Sequence, residues 1–244
     1  MSNRDDFLDL FRLTQALPHL VYVEQYSLFR MAGNLENKHV LDLGCNDGSI
    51  TRSALERNAA SAVGLDASEK SIEVAKLASG DRANLEFKVY DPEALPKVGS
   101  FDVALGVHVL HHAKSKESLL ALAKAIYNNL KPGGKFVAIN DNPGNAPECY
   151  KKYKKYGFVK TGPKEKQEGD TIRYSFFDKN GKSYELDYTY LKLETYEEIF
   201  LEAGFQSFEW KILKVSEQSK KEYNLDFWRI FLNHPPVIGI EAVK

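Results

Sequence analysis

Apolar residues recur at helical spacing through residues 5–33: Phe7, Leu10 and Phe11, then Val21, Tyr22, Tyr26 and Phe29. Pro18 offers no backbone donor, so the stretch is predicted as two helices split there. From residue 38 the pattern changes. Short runs rich in Val, Ile, Leu and Phe appear at regular intervals: KHVLDLG, AVGLDAS, LEFKVYD, FDVALGVHVL and GKFVAIN. Helical stretches separate them at 49–58, 70–78 and 115–130. Alternation of strand and helix in this way predicts a parallel sheet dressed with helices. Lys131-Pro132-Gly133-Gly134 is expected as a turn that ends one helix and feeds the next strand.

Residues 141–194 break the alternation. A loop opens at Asn142-Pro143-Gly144, and 148–156 reads as a short helix with tyrosines three apart. Residues 172–177 and 183–191 read as two strands joined by the turn sequence Asp178-Lys179-Asn180-Gly181. A helix over 196–203 stops at Gly204. FEWKILKV and PPVIGIEAVK are expected to close the sheet as an antiparallel pair. Four segments follow: N-terminal cap helices (1–37), a core (38–140), an inserted lid (141–194) and the completion of the core sheet (195–244).

Composition narrows the function classes. Hydrophobic residues at 43% and charged residues at 27% describe a chain able to bury a core. Thirty-three basic residues against 34 acidic ones give a net charge of -1, so no bulk attraction to nucleic acid or anionic lipid is expected. No apolar run approaches the ~18 residues of a membrane span. The polar, acidic start reads as no targeting signal. Two cysteines, Cys45 and Cys149, cannot build a disulfide framework or a four-thiolate zinc site, so a reducing, cytoplasmic compartment is expected.

The segment Val40-Leu-Asp-Leu-Gly-Cys-Asn-Asp-Gly48 leaves a buried strand and enters a helix. Gly44 and Gly48 permit a tight turn and the close approach of a ligand. Asp66 ends the second strand, where a carboxylate can accept from a ribose diol; Asp91 ends the third, within reach of an adenine amine. A dinucleotide site would need a third glycine and a helix start free for pyrophosphate. Here Asp47 sits near that start and would repel phosphate. An adenosine without phosphates fits better, and Asp42 could meet a ligand ammonium.

LDLGCNDG, GLDAS, Asp91 after VY, FDVALGVHVLHH and LKPGGKFVAIN resemble, in order and spacing, the motifs of class I S-adenosylmethionine-dependent methyltransferases over about residues 38–140. More loosely, YSLFRMAGNLENKHVLDLG, FVAINDNP, KYGF, LETYEEIFLEAGF and NHPPVIGIEAVK resemble toxoflavin-synthase-type small-molecule methyltransferases. The resemblance implies a Rossmann-like α/β fold: a seven-stranded, mostly parallel sheet with its last strand antiparallel, an N-terminal helical cap and a small inserted antiparallel sheet. It also implies S-adenosylmethionine as cofactor, held around Asp42, Gly44, Cys45, Asn46, Gly48, Asp66, Ala67, Asp91, Pro92 and Gly106. Asn46 stands where the family usually has glycine. Asparagine tolerates positive φ better than other side chains, so the turn can survive.

His108, His111 and His112 follow the fourth strand. No acidic residue lies among them, so no metal is expected; His108 is the candidate base or acceptor contact, against a plain loop role. Eight of the thirteen tyrosines fall between Tyr150 and Tyr196. Alternation sets Tyr184, Leu186, Tyr188 and Tyr190 on one face, either lining an acceptor or packing the insertion. Lys151, Lys152, Lys154 and Lys155 interleave with Tyr150, Tyr153 and Tyr156, as in an amphipathic helix solvated on its basic side. Acceptor contacts are expected from Tyr22, Tyr26, His108, Asn140, Tyr188 and Tyr190.

The expected chemistry is methyl transfer to N or O of a small, flat or heterocyclic molecule by in-line displacement, driven by proximity and orientation. The expected partners are that acceptor and at most a second copy of the chain, with no nucleic acid and no membrane. Two rival readings remain. A nucleic-acid methyltransferase would carry Asn/Asp-Pro-Pro-aromatic after the fourth strand, where Gly-Val-His-Val stands. A non-enzymatic S-adenosylmethionine- or nucleotide-binding module could use the same turn.

Overall fold

The computed structural model describes residue 13 and residues 17–91, 94–178 and 180–244. The first of the two N-terminal helices expected from the sequence, carrying Phe7, Leu10 and Phe11, lies outside the described residues. Pro18 opens a helical run, with a π-helical turn at Leu20–Gln25 and an α-helix at Tyr26–Ala32. A proline in the first turn costs no hydrogen bond, because that N–H would have no helical partner.

The chain forms two compact units. The larger holds residues 28–140, 194–211 and 239–244. Its strands are β1 (His39–Leu43), β2 (Ser61–Asp66), β3 (Leu85–Val89), β4 (Phe101–Val107) and β5 (Leu130–Asp141), completed by β9 (Ser207–Lys211) and β10 (Val237–Val243). The sheet order is β3-β2-β1-β4-β5-β10-β9. β1 pairs in parallel with β2 and β4, β2 with β3, and β4 with β5; β9 and β10 pair antiparallel. This is the seven-stranded sheet expected from the sequence.

Val40, Leu41 and Leu43 of β1, Ala104 and Leu105 of β4, and Phe136 to Ile139 of β5 are buried. Strands covered on both faces read as unbroken apolar runs, the pattern that marks them in the sequence. Each large side chain buried in this way contributes ~1.5–3 kcal/mol. The helices Ser49–Leu55, Glu69–Ser79 and Lys116–Asn129 sit where the sequence predicts, to within a few residues. Ser68 and Ser115 cap the last two.

Lys131-Pro132-Gly133-Gly134 departs from expectation. It forms no separate turn, because the chain is already extended at Leu130. Phe101 pairs with Leu130 and Val103 with Lys135, so the extra residues bulge within the ladder. Gly133 takes φ 72° there and donates to the Lys244 carbonyl at 2.9 Å.

The smaller unit takes in the described residues up to Ser27 together with 141–193 and 212–238, and so groups 212–238 with the insertion. It holds the antiparallel sheet β6-β7-β8, made of β6 (Phe158–Thr161), β7 (Thr171–Phe177) and β8 (Ser183–Thr189). β7 and β8 are the two strands expected; β6 is additional. Tyr184 and Tyr188 are buried while Ser183, Glu185 and Asp187 are exposed, in agreement with the predicted alternation. Pro147–Tyr156 is a 3-10 helix, and Tyr150, Tyr153 and Tyr156 are all buried. Three residues per turn align side chains three apart, so the tyrosine spacing that suggests a helix matches this tighter form. The helix Leu225–Asn233, capped by the Asn224 side chain, buries Trp228 and Phe231.

Candidate functional site

In the larger unit the strand order reverses between β1 and β4. Open α/β sheets leave a crevice outside the carboxyl ends of their strands at such a point. The β1 loop runs through it. Gly44, Asn46 and Gly48 adopt φ values of 68°, 46° and 75°. A Cβ on Gly44 would stand 2.7 Å from Val109 Cγ1, and one on Gly48 2.5 Å from the Phe87 ring. Asn46 solves its own backbone problem: its Nδ2 donates to the Gly44 carbonyl at 3.1 Å. A short side chain that bonds locally is the kind that tolerates the left-handed region.

Asp66 ends β2 and is 7% exposed. Its Oδ2 accepts from the Asn46 N–H at 3.0 Å and its Oδ1 from the Ser68 N–H at 2.9 Å. These two bonds fix the carboxylate. A carboxylate has about four acceptor positions, so two remain for further donors. Burial raises the Asp66 pKa; the Ser68 and Asn46 N–H groups and the nearby His112 oppose that shift.

Asp42, 1% exposed in β1, accepts from Thr51 Oγ1 at 2.6 Å. Burial pushes its pKa up to about 7, the Thr51 hydroxyl works against the shift, and Asp66 and Asp47 add to it. Asp47 occupies the start of the helix Ser49–Leu55, where its Oδ1 accepts from the Ser49 N–H at 3.0 Å. A carboxylate already seated at the helix start disfavours a phosphate there. Thr51 is the site residue that the sequence did not single out; only its place in the first turn of the helix after the glycine loop hinted at it.

The Cys45 side chain turns inward to Ile72, Ala75 and Phe87. Its N–H donates to Leu65 and its carbonyl accepts from Gly48, so this residue shapes the loop. Ala67 and Asp91 are exposed just past β2 and β3. Pro92 lies outside the described residues. Gly106 sits opposite Leu43 and Ala138. His108 follows β4 at φ 54° and donates its N–H to the Ile139 carbonyl at 2.8 Å. Burial holds His111 well below the usual imidazole range, so it is neutral. Among the described residues no cluster of His, Cys, Asp and Glu could hold a metal ion. Asn140, near the end of β5, donates from Nδ2 to the Tyr196 hydroxyl at 3.4 Å.

The remaining candidates belong to the smaller unit. Tyr22 donates to Glu222 Oε1 at 2.5 Å, and Tyr26 is half-buried. The Tyr188 ring lies 4.6 Å from that of Tyr174. Tyr190 lies under Lys166 Nζ, 4.7 Å from the ring centre. Beside Tyr174 lies a buried charge cluster that no sequence pattern announces. Lys160 Nζ donates to Asp141 Oδ1 at 2.6 Å, and the Tyr174 hydroxyl donates to the same oxygen. Burial lowers the Lys160 pKa, and Asp141 opposes the shift.

The larger unit's donor set suits an adenosyl group. Asp66 retains acceptor positions for a diol, Gly44 brings no side chain, and the Asp47 carboxylate disfavours a phosphate at the helix start. Comparison with known proteins agrees. Residues 40–134 match the methyltransferase-domain family. The ubiquinone biosynthesis O-methyltransferase of Coxiella burnetii (strain RSA 493 / Nine Mile phase I) is 33% identical over 128 residues, 51% of this chain and 53% of the relative. That of Pelagibacter ubique (strain HTCC1062) is 38% identical over 96 residues, 37% of this chain and 40% of the relative. The chain thus spans about half the length of the curated relatives it matches. An S-adenosylmethionine-dependent methyltransferase from Mesorhizobium loti aligns with TM-score 0.66 at 18% identity, covering 95% of this chain and 100% of the other. S-adenosylmethionine-bound CalS10, an amino pentose methyltransferase from Micromonospora echinaspora, aligns with TM-score 0.60 at 13% identity, covering 98% and 96%. The fold is the Rossmann-like methyltransferase fold of these structures, and residues 40–134 are similar to the methyltransferase-domain family.

Proposed function

We propose that this chain is an S-adenosylmethionine-dependent methyltransferase acting on N or O of a small, flat or heterocyclic molecule. The observation that carries the reading is Asp66, locked by two backbone N–H groups beside a glycine turn with two acceptor positions to spare. Asp66 would hold the ribose hydroxyls, Asp91 the adenine amine with Ala67 and Pro92 alongside, and Asp42, Gly44 and Gly106 the methionine part. When bound, the cofactor supplies a methyl group already activated on sulfonium. The chain's own task is to align the acceptor, exclude water and receive any proton released. His108 would take that proton from a hydroxyl.

Oxygen is the favoured acceptor atom, because the relatives quoted above are named O-methyltransferases of ubiquinone biosynthesis. The looser resemblance to toxoflavin-synthase-type enzymes supports a flat heterocycle as the carrier of that atom. The proposal includes a cytoplasmic protein, monomeric or homodimeric, with no nucleic-acid partner. Among the described residues no helix is long and apolar enough to cross a membrane.

Calorimetry with S-adenosylmethionine tests the reading directly. Binding should be seen, and Asp66→Ala should weaken it by about 1–3 kcal/mol, the cost of leaving the diol unpaired. An unchanged dissociation constant would remove Asp66 from the site. A metabolite extract incubated with methyl-labelled cofactor should then show which small molecule gains mass.

A further inference from the structure

Asn140 is 1% exposed, and its Oδ1 has no hydrogen-bond donor among the described residues. Folded chains rarely leave a buried amide oxygen in that state, so each instance calls for a cause. The surroundings are specific. Alternation along β5 sets Phe136, Ala138 and Asn140 on one face. Phe136 stacks on Phe200 at 5.9 Å, and the same helix, Leu193–Glu202, presents Tyr196 to the Asn140 Nδ2. Tyr196 is itself braced edge-on by Trp210 at 5.7 Å. The amide is therefore anchored on its nitrogen side while its oxygen waits for a donor. Just past the neighbouring strand, His108 takes a left-handed backbone and its N–H donates to the Ile139 carbonyl, which puts the ends of β4 and β5 side by side.

We propose that Asn140 is a specificity-determining residue for the methyl acceptor: its Oδ1 accepts the O–H or N–H that methylation removes. The inference rests on the methyltransferase reading above and extends it to substrate class. The O–CH3 or N–CH3 bond forms from the acceptor's lone pair, the S–CH3 pair stays on the leaving thioether, and the proton passes to His108, the base of the reading above. A hydroxyl or secondary amine loses its only donor in that step. The product then leaves the buried oxygen unsatisfied and binds more weakly than the substrate. A buried acceptor discriminates strongly against an analogue without the matching donor. Pyridine-type nitrogens and carboxylates, which bring no donor, are excluded as substrates.

The test uses the full chain with S-adenosylhomocysteine bound and two flat probe pairs, 2-naphthol with 2-methoxynaphthalene and indole with 1-methylindole. In each pair the donor-bearing probe should bind at least tenfold more tightly. Asn140→Leu should bring the ratio to about one while leaving S-adenosylhomocysteine affinity unchanged. Tyr196→Phe, which removes only the amide's anchor, should lower the ratio severalfold and serves if the leucine variant does not fold. Equal binding within each pair, no binding of any probe, or a ratio that survives Asn140→Leu overturns the proposal. Failure of the unaltered chain to bind S-adenosylhomocysteine would instead overturn the methyltransferase reading.

Discussion

Asp42 and Asp66 stand at the ends of adjacent strands, yet their partners divide them. Asp66 has two backbone N–H groups and keeps room for more donors. Asp42 has the Thr51 hydroxyl, is deeply buried, and has a pKa raised from 3.8 to about 7. Between those values the folded chain holds a proton that the unfolded chain has lost. Asp42 therefore makes stability fall as pH climbs from about 4 to about 7, and adds no further slope above that. A ligand ammonium reverses the preference, because it favours the charged carboxylate. Affinity for S-adenosylmethionine should accordingly rise as pH passes from 6 to 8. Asp42→Asn should flatten that profile, as read by calorimetry across the range. A profile of equal slope in the variant would take Asp42 away from the ammonium.

At the scale of elements, the buried cluster of the smaller unit gives the sharpest expectation. Lys160 is 1% exposed, and its ammonium lies over the rings of Tyr150 and Tyr174, with Asp141 as its counter-charge. Removing one member of a buried pair strands the other. Lys160→Met should cost about 3–5 kcal/mol in chemical denaturation, and adding Asp141→Asn should recover part of it. A loss below about 1 kcal/mol would mean that water reaches the pair. The cluster also shows where sequence stops being legible. β1 to β5 announce themselves because strands buried on both faces must be apolar throughout. β6 is only four residues long, and Lys160 interrupts its apolar pattern; the lysine can be buried because Asp141, the Asn145 side chain, the Pro236 carbonyl and two tyrosines gather around it. The left-handed turn was legible at Gly44 and Gly48, and Asn46 was readable as a tolerable exception. Thr51 and the amide anchor at Tyr196 were not, since each depends on a partner brought from elsewhere in the chain.

For the whole molecule, the choice between an adenosyl sulfonium and a dinucleotide comes down to one carboxylate at one helix start. Asp47, just before the N-cap Gly48 of the helix Ser49–Leu55, accepts from the Ser49 N–H and is held by Arg52, whose Nη1 donates to the Asp47 carbonyl at 2.6 Å. The positive end of the helix is thereby spent on the protein's own charge, and a pyrophosphate approaching it meets repulsion. Any ligand that binds the folded chain and not the unfolded one stabilises it by mass action, by about 2.7 kcal/mol at a hundredfold excess over its dissociation constant. For a chain of this size each kcal/mol moves the melting temperature by roughly 2–4 °C, so such an excess of S-adenosylmethionine or S-adenosylhomocysteine should raise it by about 5–10 °C. NADH and ATP, at the same concentrations, should leave it within about 1 °C. A comparable rise with NADH would mean that the turn accepts pyrophosphate after all, and that Asp47 yields its place when the ligand arrives.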